Sequence, residues 1–298
     1  MPGSTRASGW VERAASAEAA ARARPTRRLT RLVAARIGGP LALGVLLLGL
    51  AAPWVAPYGP LEMHAGRELR PPSRVYAFGS DEFGRDILSR VIFGARISLL
   101  VGCLSVAIGT LAGGALGLAA GYWGGAVETL ATRLADCLLS FPAIILGIAV
   151  AAVLGPGAVN AAIAVGIVNV PTFTRLTWSS VLVEKEKEYV LGAECLGASN
   201  ARLVGRHILP NVLGPILVQA TIASAQGILL EASLSFLGLG AQPPEPSWGA
   251  MLNDARPFLR DAPWYGVFPG LALSVLLLGL NLTADAIRDA LDPRLARA

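Results

Sequence analysis

The stretch ISLLVGCLSVAIGTLAGGALGLAAGYWGGAV, residues 97–127, contains no Asp, Glu, Lys or Arg. A helix rises about 1.5 Å per residue, so about 20 mainly apolar residues cross the ~30 Å hydrocarbon layer of a bilayer. The run exceeds that length, and the glycines in Gly121-Tyr122-Trp123-Gly124-Gly125 indicate a turn near its end. The sequence therefore predicts a membrane-spanning helix here.

Five further spans are predicted by the same criterion. Residues 37–61 contain one that ends near Ala56. Residues 137–174 are too long for one crossing, and Gly155-Pro156-Gly157 divides them into helices at 137–154 and 158–174. The last two are at 208–230 and 262–284. The predicted fold class is therefore all-α, a polytopic membrane protein with six transmembrane helices.

The amino-acid composition is typical of a membrane-embedded protein. Of 298 residues, 54% are hydrophobic and 15% charged, whereas about 25% are charged in soluble domains. A water-soluble enzyme is therefore excluded.

The distribution of basic residues predicts the orientation, because Lys and Arg are retained on the cytoplasmic side. Seventeen of the 25 basic residues lie in the two termini and in the predicted connections 121–136 and 175–211. Both termini are expected in the cytoplasm, with a periplasmic loop at 57–96 and another at 240–262. Residues 1–36 are Ala- and Arg-rich and are predicted to be a disordered tail, preceding a six-helix domain at 37–298. A cleaved secretory signal is the less favoured alternative.

A regular series of small residues marks the second span. Ser105, Gly109, Gly113, Gly117 and Gly121 recur every four residues and share one helix face. Small residues let helix backbones approach in lipid, so the series predicts a tight interface with a helix that the sequence does not identify.

Polar side chains at membrane depth are costly unless they find partners or water. Two interpretations stay open: a hydrated passage between helices, or hydrogen bonds between packed helices. The candidates are Asn169, Gln219, Gln226, Glu231 and Asn281.

No arrangement of residues predicts a catalytic, cofactor-binding or metal site. The two histidines, His64 and His207, lie in different predicted loops, and no GxxxxGK[ST] phosphate loop is present. The chain is therefore not expected to hydrolyse a nucleotide, and its excess of basic residues is explained by the flanks of the spans rather than by nucleic acid.

The 175–211 connection is predicted to form two short helices. Residues 184–190, EKEKEYV, favour a helix that Gly197 ends, and Ser199 or Asn200 can cap a second one. In that second helix Arg202 and Arg206 are four residues apart, and Leu209-Pro210 is expected to end it and to open the fifth span.

Three separated segments resemble a known family. Residues 188–199, EYVLGAECLGAS, followed by RHILPN at 206–211, resemble the signature loop of binding-protein-dependent ABC importer permeases, Glu-Ala-Ala, three residues, Gly, nine residues, Ile-x-Leu-Pro. Leu191 and Gly192 replace the Glu and first Ala, and His207 replaces the Ile. FGSDEFGRDILSR at 78–90 and EASLSFLGLG at 231–240 resemble the dipeptide, oligopeptide and nickel permeases, in particular the second of the two homologous membrane subunits.

This resemblance implies an ABC importer type I transmembrane domain in the bacterial cytoplasmic (inner) membrane that forms half of a translocation path. The implied partners are a homologous second permease subunit, two cytosolic ATP-binding subunits, and a periplasmic or lipid-anchored substrate-binding protein. ATP and magnesium would be held by the ATPase subunits and no cofactor by this chain. Dipeptides or oligopeptides are the expected cargo; nickel stays open, and a non-transporting membrane scaffold is the remaining alternative.

In such a permease the loop would contact an ATPase subunit. The residues that the resemblance assigns to this contact are Tyr189, Gly192, Ala193, Gly197, Ala198, Ser199, Arg202, Arg206, Leu209 and Pro210. Arg85, Asp86 and Arg90 are expected on a helix that lies on the membrane surface or, less favoured, faces the binding protein.

Overall fold

The computed structural model describes residues 34–291. Within that range the regular structure is helical, apart from one isolated bridge between Ser80 and Asp86. The predicted disordered tail, 1–36, lies outside the described residues except for its last three positions, which belong to a helical turn, Ala34–Gly38.

The described residues form nine main helices, joined by short connections and a few isolated helical turns. They are α1 (Arg36–Leu50), α2 (Ile87–Trp123), α3 (Gly125–Leu139), α4 (Ala143–Leu154), α5 (Ala158–Lys185), α6 (Glu188–Cys195), α7 (Asn200–Phe236), α8 (Trp248–Ala255) and α9 (Trp264–Leu291).

Four of these helices, α2, α5, α7 and α9, are long and apolar enough to cross a membrane. The pair α3 and α4 is bent by 96° and makes a fifth crossing if it is counted as one broken span. Helix α1 is apolar but shorter than the ~20 residues that a crossing needs. The predicted number of six crossings is therefore not confirmed in the described residues.

The bend between α3 and α4 was not predicted. The expected helix at 137–154 is wrong, since the helix stops at Leu139 and restarts at Ala143. Pro142 lacks a backbone N–H and disfavours helical geometry at Phe141, which explains the break. The break predicted at Gly155-Pro156-Gly157 is confirmed, because α4 ends at Leu154 and α5 begins at Ala158.

The partner of the small-residue series is α5. A Cβ atom added at Gly113 would lie 2.4 Å from the Val170 carbonyl oxygen, and one at Gly117 would lie 2.4 Å from that of Thr174. No side chain fits at these distances, so glycine allows the two backbones to pack directly. The predicted tight interface is confirmed.

The long helices run between two ends of the molecule. One end contains residues 186–199, which join α5 to α7 as a hairpin, and is called here the hairpin end. There the Lys185 Nζ donates to the Gly121 carbonyl, in the last turn of α2, at 2.8 Å. At the other, called the far end, the Gly157 N–H before α5 donates to Leu239 just after α7, at 3.3 Å. The bent pair α3–α4 therefore carries the chain from the hairpin end to the far end.

Two predicted loop boundaries change. The expected connection 175–211 is mostly helical, because α5 extends to Lys185 and α7 begins at Asn200. The expectation for Leu209-Pro210 is confirmed in part: a regular α-helical segment begins at Leu209, but the π turn at Leu203–Ile208 is continuous with it, so α7 as a whole begins at Asn200. The π turn directly precedes Pro210, which has no backbone N–H to donate and so interrupts the regular hydrogen-bond pattern of the helix. Similarly, the predicted loop 57–96 ends earlier, because Ile87–Trp123 is helical.

Candidate functional site

Residues 186–199, which contain α6 and are called here the hairpin, join α5 to α7 at the hairpin end. Helix α6 ends where Gly197 takes a positive φ of 81°, as the sequence predicted. The Ala198 N–H donates to the Ala193 carbonyl at 3.0 Å, and the Gly197 N–H donates to Glu194 at 2.9 Å. This pair of hydrogen bonds is a Schellman motif, which gives the turn one defined geometry.

A buried carboxylate fastens the hairpin to the two long helices. Glu184 is only 6% exposed near the end of α5 and accepts from the Lys187 Nζ at 2.7 Å. The Tyr189 hydroxyl of α6 contacts the same carboxylate. That hydroxyl also accepts from the Asn211 amide of α7, at 3.0 Å. Helices α5, α6 and α7 therefore meet at one hydrogen-bonded cluster.

The environment of Tyr189 keeps its hydroxyl protonated. Desolvation, followed by the hydrogen bond to Glu184, raises the pKa of Tyr189 to about 12. The hydroxyl therefore remains a hydrogen-bond donor at any physiological pH. Sequence reasoning missed the roles of Glu184 and Asn211, and the only signal was the Glu184–Lys187 spacing of three in a helix-forming run.

The hairpin has one buried face and one exposed face. Val190 of the hairpin is buried against Leu203 and Ile208 of α7 and Phe173 and Val181 of α5. On the opposite face Leu196 is 91% exposed, and Leu191 and Tyr189 are each nearly half exposed. The hairpin thus presents apolar side chains outward from a fixed base.

The ten residues assigned to this contact are divided between the two faces. Ala193 and Ala198 are half-buried and pack against the core, and Leu209 is half-buried. Ser199 stands at the N-terminus of α7 without capping it through its side chain. The exposed members are Tyr189, Gly192, Gly197, Ser199, Arg202, Arg206 and Pro210.

Of the five predicted polar residues, the structure brings two together. Asn169 of α5 and Gln226 of α7 line a cavity of about 440 Å³, which Leu146 of α4 also borders. Gln219 and Asn281 do not border it. Glu231 is fully buried elsewhere on α7 and accepts from the Ser235 hydroxyl of the same helix at 2.6 Å, whereas its Oε2 is buried without a hydrogen-bond partner in the described residues. It therefore supports neither interpretation.

At the far end, three charged side chains form a buried cluster. Asp81 is 0% exposed and its Oδ2 lies 2.6 Å from Arg85 Nε and 3.4 Å from Arg90 Nε. Asp86 is also buried and caps α2 by accepting from the Ser89 N–H at 2.8 Å. The expectation that Arg85, Asp86 and Arg90 lie on a membrane or protein surface is therefore wrong, because the preceding loop folds over them.

Two further carboxyl groups, Glu82 and Asp254, border an open cleft beside this cluster. Burial raises the pKa of both. Across residues 34–291, no group of three or more His, Cys, Asp or Glu is placed to hold a metal ion. The expectations of no metal and no cofactor stay predictions.

Comparison with known sequences places this arrangement in a family. The family model described as the inner membrane component of binding-protein-dependent transport systems matches residues 113–297. The dipeptide transport system permease protein DppC of Alkalihalophilus pseudofirmus is 44% identical over 269 residues, covering 90% of this chain and 88% of that protein. The di/tripeptide permease DppC of Pseudomonas aeruginosa is 44% identical, with 88% and 89% covered. The glutathione transport system permease GsiD of Pectobacterium atrosepticum is 42% identical, with 90% of each covered.

A solved structure shares the fold. A chain of the MetNI methionine ABC transporter in an inward-facing conformation superposes with a TM-score of 0.57 at 18% sequence identity, over 69% of this chain and 98% of that one. The likeness shows that the described helices have the fold of a type I ABC importer transmembrane subunit.

Proposed function

Because this chain belongs to the family of inner membrane components of binding-protein-dependent transport systems, we propose that it is one of two membrane subunits of an ATP-driven peptide importer. A homologous subunit would complete the translocation path. Two cytosolic ATPases would bind the ATP and magnesium, and a periplasmic or lipid-anchored binding protein would deliver the peptide. Peptide cargo is proposed because the relatives include permeases named for dipeptides, tripeptides and glutathione.

The observation that carries the coupling role is the geometry of the hairpin. Its outer face exposes Leu191 and Leu196, which suits an apolar groove on a partner protein. The Tyr189 hydroxyl joins the hairpin to α5 and α7 by hydrogen bonds, and both of these helices extend to the far end. A partner that moves the hairpin therefore moves two membrane helices with it.

The nucleotide cycle would act on the membrane through differential binding. A partner shifts a conformational equilibrium only by the difference in its affinity for the two states. The ATP-bound pair of ATPases would hold the hairpins of the two membrane subunits closer together than the ATP-free pair does. Closure on one side and opening on the other would follow, because the hairpin and the long helices move as one body.

The orientation proposed for this chain places both termini and the hairpin in the cytoplasm of a bacterial cell. Two observations support it: the excess of basic residues in the segments at the hairpin end, and the exposed apolar face that a cytosolic ATPase would cover. The segment at 57–86 and the connection at 237–247 would then face the binding protein. We further propose six crossings, with α1 and the turn after it as the first.

Reconstitution tests this function directly. The four kinds of subunit are assembled in liposomes with ATP inside, and uptake of labelled alanyl-alanine is measured with and without the binding protein. We expect uptake only from the complete assembly. Uptake by this chain alone, or uptake of Ni²⁺ with none of the dipeptide, contradicts the proposal.

A further inference from the structure

A row of polar side chains runs along one face of α7. Gln219, Gln226 and Ser233 are spaced by seven residues, which is close to two turns of about 3.6 residues, so they share a face. Gln226 and Ser233 both border the 440 Å³ cavity. The Ser233 hydroxyl is already satisfied by the Leu229 carbonyl at 2.8 Å, whereas the Gln226 side chain is exposed.

An unpartnered amide faces this row from α5. The Asn169 Nδ2 is buried and has no hydrogen-bond partner within the described residues. It lies across from Gly227, where an added Cβ would be 3.9 Å from it, and its Cβ is backed by Gly109 of α2. Leaving a buried donor unpaired is destabilising. A ligand that enters the cavity and accepts a hydrogen bond from the Asn169 Nδ2 would account for this unpaired donor.

The chemistry of the lining selects the ligand class. Asn169, Thr172 and Gln226 offer neutral donors and acceptors on an otherwise apolar wall. None of the lining side chains is charged, and none is His or Cys, the residues that soft and borderline metal ions prefer. Carboxamides complement the N–H and C=O of a peptide bond, and a volume of 440 Å³ is within the range of about 300–1,000 Å³ typical of small-molecule sites.

We propose that Asn169 and Gln226 form a transient binding site for the backbone amide of a peptide in transit. This inference rests on the proposed function and adds its substrate contact. Since the site binds the backbone amide and carries no charge, it accepts peptides irrespective of their side chains. Its affinity for each of them is low. Selectivity among peptides is then left to the binding protein.

Chemical labelling tests contact in the assembled importer. In nanodiscs both faces are open to solution, and Cys103, Cys137 and Cys195 are first replaced by Ser. Gln226→Cys is then labelled by a water-soluble methanethiosulfonate with and without alanyl-alanine, and Asn281→Cys, on α9 outside the cavity, is the matched control. At ten times its dissociation constant the peptide should slow labelling of Gln226→Cys roughly tenfold and leave the control unchanged. Equal rates with and without peptide, in an importer that transports it, overturn the inference.

A change of charge provides an independent readout. Gln226→Glu places a carboxylate in the site, so the ratio of lysyl-alanine to glutamyl-alanine uptake should rise by about tenfold over the unchanged importer. The same binding protein delivers both peptides, so its preference cancels in this comparison. Asn281→Asp should leave the ratio within about twofold. If Gln226→Glu transports both peptides at the original ratio, the site does not contact cargo, whereas absence of dipeptide uptake by the unchanged importer rejects the proposed function itself.

Discussion

The two ends of the molecule differ in how many charged side chains they bury and pair. At the far end the charges of Asp81, Arg85 and Arg90 are buried and paired with one another. At the hairpin end a leucine, Leu196, is 91% exposed although the local fold is well defined. The first pattern is typical of a structural element, and the second suits the contact with an ATPase subunit that we propose.

The largest expected effect is a loss of folding stability caused by a substitution at the far end. Asp81→Ala removes the carboxylate that pairs with Arg90 and leaves Arg85 with only Glu82, 3.5 Å away. This should cost about 3–5 kcal/mol of folding free energy. The measurement is unfolding of the purified chain in detergent. Asp136→Ala, which breaks the half-exposed pair with Arg175, is the control and should cost below about 1 kcal/mol. Equal losses in the two variants would show that the buried cluster is not structural.

The next largest effect is expected at the hairpin, on its affinity for the ATPase subunits and not on the stability of the fold. Leu196→Asp removes an apolar contact worth about 1.5–3 kcal/mol, so affinity for the ATPase subunits should fall roughly ten- to a hundredfold. Co-purification with the ATPases at graded concentrations measures this. Leu61→Asp, at an exposed leucine of the far end, should have no such effect. Full ATPase binding by Leu196→Asp would remove this residue from the interface.

A pair of glycine substitutions separates hairpin geometry from hairpin contact. Gly197→Ala has open space around its Cβ but a positive φ, so it should destabilise the turn by roughly 1–2 kcal/mol. Gly192→Ala, inside α6 and also uncrowded, should instead stabilise that helix by about 0.5–1 kcal/mol. We expect Gly197→Ala to insert normally but to transport less peptide per ATP, measured in proteoliposomes. Normal coupling in Gly197→Ala would show that the turn angle is not used.

The smallest effect is expected from removal of the Tyr189 hydroxyl group. Tyr189→Phe removes the hydroxyl that joins α6 to Glu184 and Asn211, at a cost of about 0.5–1.5 kcal/mol. The ATPases should still bind, because the ring stays exposed, but transport per ATP should fall. Because the pKa of Tyr189 is about 12, the difference between the two proteins should be constant from pH 6 to pH 9. A difference that varies with pH in this range would contradict this assignment.

Much of the helical framework can be predicted from local sequence. Gly155-Pro156-Gly157 and Gly197 end helices where expected, because glycine and proline act through their own backbone geometry. The spacing of the small residues on α2 identified a packing face. Its partner, α5, could not be identified, since helix pairing depends on the whole arrangement.

Of the missed features, two depend on distant contacts and one, the bend after Leu139, depends on a local residue. The pattern of Arg85, Asp86 and Arg90 beside apolar residues resembles an interfacial helix, and only the folded loop carrying Asp81 converts it into a buried cluster. The bend after Leu139 follows from Pro142, a signal that was present but was hidden in a long apolar run. The meeting of Asn169 with Gln226 required the packing of α5 against α7.

Photo-crosslinking tests the difference between the two ends most directly. p-Benzoylphenylalanine is placed at position 196 in one preparation of the assembled importer and at position 61 in another. We predict a covalent adduct of position 196 with an ATPase subunit, and none of position 61 with it. An adduct of position 61 with the ATPase, or none from position 196 in an assembly that hydrolyses ATP and transports peptide, would contradict the assignment of the hairpin as the coupling element.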